Sequence, residues 1–117
     1  QFLWSNSNMI ETTYEILDLF VYPEKETFTN VVGKALLKIT FSRNGVSTQG
    51  MVEAVLDVTA LSQDTFIPVD QVSTDTLANW VIQANGGEEF LNQLKAIHEI
   101  ELLKRENEIG LVRYEVV

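Results

Sequence analysis

The chain has 117 residues, with eight lysines and arginines against seventeen aspartates and glutamates, a formal net charge of −9 and no cysteine. That length suits one domain, and a hydrophobic content of 45% supplies enough apolar area to fold without disulfide or metal. The acidic balance disfavours nucleic acid and anionic lipid as partners. The missing thiols remove cysteine catalysis and thiolate zinc sites, and no apolar run approaches the roughly 20 residues of a membrane helix.

Residues 1–8, QFLWSNSN, lack a period and precede Met9, so they read as a non-native or upstream-translated flank. Residues 9–117 then form a single domain. Residues 12–22 are β-rich, with Tyr14 and Ile16 on one face and Leu17, Leu19 and Val21 on the other. A bulge near Leu17 and Asp18 would turn both sets inward. Pro23 is expected to end this strand, because it has no N–H to give a ladder, and residues 24–30 to form a polar loop.

Asn44-Gly45 is the favoured pair for a two-residue type I′ turn, where both positions need positive φ. That turn opposes Phe41 to Thr48, Ile39 to Gly50, Leu37 to Val52, Ala35 to Ala54 and Gly33 to Leu56, a face of small and apolar residues. The other face opposes Thr40 to Gln49, Lys38 to Met51, Leu36 to Glu53 and Lys34 to Val55, with Glu53 placed to meet Lys34 and Lys38. Turn chemistry and alternation thus give the same register.

Residues 58–72 read as a connecting loop anchored by Phe66, Ile67 and Val72. Ser73 is a good N-cap, and Asp75 lies in the first turn, where a negative charge favours the helix dipole. Leu77, Trp80, Val81 and Ala84 repeat at helical spacing, and Gly86-Gly87 stops that helix. A second helix starts at Glu88-Glu89 and carries Phe90, Leu91, Leu94, Ile97, Ile100 and Leu103, with Glu101 four residues before Arg105. Beyond Gly110, Val112, Tyr114 and Val116 alternate with Arg113 and Glu115, a candidate fourth strand. The order predicts an α+β fold: an antiparallel meander with two helices on one face.

No catalytic, cofactor or metal constellation stands out. His98 is the only histidine, with no nucleophile or orienting partner marked by spacing, and reads as a polar-face residue of a solvated helix. Asp57, Asp64, Asp70 and Asp75 match no calcium-loop spacing. Gly86-Gly87 lacks a phosphate-binding pattern and is followed by two glutamates that would repel phosphate. Trp80 falls on the apolar stripe and reads as a core residue.

The segment order carries a resemblance. Tyr14 in the first strand, Tyr22-Pro23-Glu24, Val31-Val32, the Asn-Gly hairpin, Phe66-Ile67-Pro68, Asp70-Gln71-Val72-Ser73 and Trp80-Val81 follow in turn. In that order the chain resembles a family of small tailed-phage proteins of unknown function, of the marine cyanophage type. Val69 stands where the family pattern has Tyr, and Asn79 where it has Gly before Trp80. The resemblance implies a phage protein located in the virion or in the cytoplasm of an infected bacterium. A non-enzymatic structural or assembly component is the first expectation. An accessory protein that binds and modulates a host protein is the second, and a small enzyme with an unrecognised pocket the third.

The hairpin face opposite the core combines Val32, Leu36, Met51 and Val55 with Lys34, Lys38, Thr40, Gln49 and Glu53. A solvated strand face is usually more polar, so these four apolar residues are the candidate interface. A homo-oligomer is the expected assembly, with another phage or host protein as the alternative partner.

Overall fold

The computed structural model describes residues 9–58 and 66–116. The expectations attached to residues 1–8, and to Asp64 in the connecting loop, lie outside the described residues. Among the described residues, the chain forms an α+β fold of strands β1 (Glu11–Lys25), β2 (Phe28–Arg43) and β3 (Val46–Val55), then helices α1 (Thr74–Ala84) and α2 (Glu88–Asn107). The sheet is antiparallel in the order β1-β2-β3.

Asn44 and Gly45 take φ values of 54° and 83°, and the β2–β3 register matches the expected pairing from Arg43↔Val46 to Lys34↔Val55. The predicted bulge is present, but it does not turn both sets inward, since Leu17 itself stays 38% exposed. Ile16 pairs with Leu37 and Asp18 with Leu36, so Leu17 is the extra residue and Leu19 turns to the same side as Ile16. Both helices pack on the side of the sheet that carries Ala35, Leu37, Ile39, Phe41, Val52 and Ala54. From α1 that core receives Ala78, Val81 and Ile82, and from α2 it receives Leu102. The Ser73 hydroxyl accepts from the Thr76 amide at 3.1 Å and caps α1. Gly86 and Gly87, at φ 128° and 75°, let the chain reverse into α2, and the Gly87 amide donates to the Ile82 carbonyl at 2.9 Å.

Three expectations are corrected here. Pro23 does not end β1, and residues 24–30 do not form a loop. A tight turn at Glu26 and Thr27 closes a second hairpin, with Lys25 paired to Phe28. β1 is an edge strand, where a missing donor is tolerated, and the ladder passes from Tyr22↔Val31 to Glu24↔Thr29 across Pro23.

Val32 does not lie on the open face. Phe20 pairs with Lys34 and Val21 with Val32, so Gly33 is an extra residue in β2, and the bulge turns Val32 inward to 6% exposure.

Residues 111–116 form no strand, and their side chains point into solvent. Alternation alone does not make a strand: the tail pairs with neither edge of the sheet, β1 or β3.

Candidate functional site

Among the described residues, nothing covers the face of the sheet away from the helices. Leu36 is at its centre, paired with Asp18 on one side and Glu53 on the other. Phe20, Met51 and Val55 are each more than half exposed there. Charge surrounds these residues. Lys34 bridges Glu53 at 3.5 Å and lies 5.3 Å from the Phe20 ring centre, while Lys38 bridges Glu15 of β1 at 3.0 Å. The expected double ladder from Glu53 is therefore divided: Lys34 keeps Glu53, and Lys38 takes the neighbouring strand. Leu36, Met51 and Val55 thus share one surface, as expected, while Val32 faces the opposite way. Phe20 joins them because the β1 bulge changes which residues face outward.

Val32 instead lines a cavity of about 200 Å³ with Val31, Leu56, Phe66, Ile67 and Trp80. Trp80 is half-buried at this wall rather than within the core cluster. Among the described residues, Asp57 is the titratable side chain of the lining. Most small-molecule sites are larger, at roughly 300–1,000 Å³, and converge several polar groups.

His98 faces the sheet, which corrects its assignment to a solvated helix face. Its Nδ1 is 2.8 Å from the hydroxyl of buried Thr48, and its ring is 4.8 Å from that of Phe41. Gly50 makes room for it, since a Cβ there would come within 3.0 Å of Nε2. The ring is thus wedged between helix and sheet.

A second polar contact ties the β2–β3 turn to the end of α2. The Arg43 guanidinium donates to both carboxylate oxygens of Glu106, at 2.8 and 2.9 Å, and to Glu99 at 3.0 Å. Asn44 adds a donor to Glu106 at 2.8 Å. The hydrogen bond from Arg43 is the main force holding the Glu106 carboxyl below its ordinary value, with Asn44 and the charge of Arg43 adding to it against a smaller burial effect. Elsewhere, burial and then the charge of Asp75 push the Tyr14 hydroxyl upward. Among the described residues, no cluster of three His, Asp or Glu side chains is placed to hold a metal ion. None of their helices is long and apolar enough to cross a membrane.

Sequence reading missed the outward side of α2. Of the apolar residues that the second helix carries, Ile97, Ile100 and Leu103 do not meet the sheet and are between 54% and 74% exposed. Leu91, Leu94, His98 and Leu102 occupy the inward side instead. The signal was present in the spacing of Ala96, Ile100, Leu103 and Asn107, a second apolar-to-polar row on the same helix. Comparison with protein-family models, curated proteins and solved structures returns no match.

Proposed function

We propose that this chain is a structural or assembly component of a tailed phage that works through protein–protein contacts and performs no chemistry of its own. The open sheet face carries this reading: Phe20, Leu36, Met51 and Val55 form an apolar surface ringed by ion pairs, the composition of a contact patch with a polar rim. The phage assignment rests on the order Tyr22-Pro23-Glu24, Val31-Val32, hairpin, Phe66-Ile67-Pro68 and Trp80-Val81. In this reading the chain resides in the virion.

Mass spectrometry of purified particles tests it. The chain should be present at fixed copy number, and Leu36→Lys should remove it from particles while leaving it folded. A chain consistently absent from particles overturns the structural role.

The −9 charge favours a second reading, an accessory protein whose acidic surface steers it to a basic host partner. A stoichiometric host protein in a pull-down, with no copy in particles, would select it.

A further inference from the structure

The outward side of α2 is apolar where a solvated helix would be polar. Ala96, Ile100, Leu103 and Asn107 follow one another at steps of four, three and four residues, the spacing of a coiled-coil seam. All four are exposed, and Ile97 flanks them. Beside the seam runs a groove of about 430 Å³ between Ile100, Leu103 and the Arg43–Glu106 clamp. The chain after α2 continues in the same character: Leu111, Val112, Tyr114 and Val116 are 75% to 88% exposed. Helix side and tail thus present a run of large apolar residues, each more than half exposed, of the kind that marks a contact surface.

We propose that the chain self-associates as a parallel, two-fold dimer through this side of α2, with the two tails meeting beyond the helix C-termini. Three features select a second copy in this orientation. Ile100 at the a position with Leu103 at d is the combination that favours two parallel strands, and Asn107 at the next a position sets register. Glu99 and Lys104, five residues apart, fall at g and e, so parallel helices bring each Glu99 to Lys104 of the partner subunit. Glu99 already bonds Arg43 within its own chain, but its side chain remains 55% exposed and open to a second cation. An antiparallel pair would instead set like charges against each other and send the two tails to opposite ends. The parallel pair covers both tails at one end with one symmetric surface. This surface is separate from the open sheet face, so the two stand or fall independently.

The absence of native cysteine makes the test direct. Wild-type protein should sediment at twice the 13.2 kDa of one chain. Single variants Ala96→Cys and Leu103→Cys, one heptad apart, should each oxidise to a disulfide-linked dimer, because only parallel in-register helices bring both positions to their own copies. Ile100→Lys should be monomeric with an unchanged circular dichroism spectrum. Lys104→Glu, a fully surface change, should weaken the dimer about tenfold by facing Glu99 with a like charge. Leu36→Lys should leave it intact. A monomeric wild type at about 100 µM overturns the proposal. Cross-linking at one cysteine position only, or self-association that survives Ile100→Lys but is lost in Leu36→Lys, overturns it equally.

Discussion

Thr48 is a polar side chain buried under α2, and its hydroxyl is matched by the ring nitrogen of His98. A buried hydroxyl without a partner bears its full desolvation cost, so the pair explains why a histidine sits among Leu91, Leu94 and Leu102. His98→Ala would strand Thr48 and open space against Phe41, at a cost of about 1–3 kcal/mol; Thr48→Val combined with His98→Leu should recover part of it. Urea unfolding of the three proteins checks this, and a silent His98→Ala would mean water replaces the ring without loss. The Arg43–Glu106 clamp makes a different prediction. Glu106 holds its proton less tightly in the fold than at its ordinary value near 4.5, so its stabilisation is complete above that value and is lost as pH falls through the lower folded one. Urea midpoints taken from about pH 7 to about pH 3 should therefore fall more steeply for wild type than for Glu106→Gln. Identical slopes would contradict the shift.

At the scale of elements, the β2–β3 hairpin was legible because turn chemistry and alternation agree independently, and the structure reproduces its register pair by pair. Ser73 and Gly86-Gly87 were legible for a similar reason, since caps depend on local backbone geometry alone. What was not legible depended on neighbours. Whether Pro23 ends a strand depends on whether that strand lies at an edge, and Val32 changes sides because of an extra residue at Gly33. The α2 sequence has apolar residues on two sides, and periodicity cannot say which side meets the sheet. The structure assigns the inward side to Leu102, fully buried, and the outward side to Leu103, 54% exposed. Adjacent residues of one type should thus respond differently. Leu102→Ala should cost about 2–5 kcal/mol, whereas Leu103→Ala, measured in an Ile100→Lys background to remove any dimer, should cost under about 0.5 kcal/mol. Equal costs would mean that the helix is rotated from the orientation described.

For the whole molecule, a three-stranded sheet with two helices has helix cover for one of its two faces, and the helices themselves have a far side. Both uncovered layers are apolar here: Phe20, Leu36, Met51 and Val55 beneath the sheet, and Ile97, Ile100 and Leu103 above the helices. On the two proposals made above, each of these layers is a contact surface for another chain. The two lie on opposite sides of the helix–sheet core, with no shared partner, so changes in them should act additively. Leu36→Lys is well suited to the sheet side, because Asp18 and Glu53 pair on either side of it and would receive the new cation favourably. The double variant Leu36→Lys with Ile100→Lys should then be a folded monomer that stays out of particles. Leu36→Lys alone should remain dimeric yet unincorporated, and Ile100→Lys alone should be monomeric with its sheet face unchanged. Sedimentation of the three proteins beside a particle-incorporation assay reads both surfaces at once. If Ile100→Lys alone is also excluded from particles, the dimer is the form that docks, and the sheet face acts only after the helices have paired.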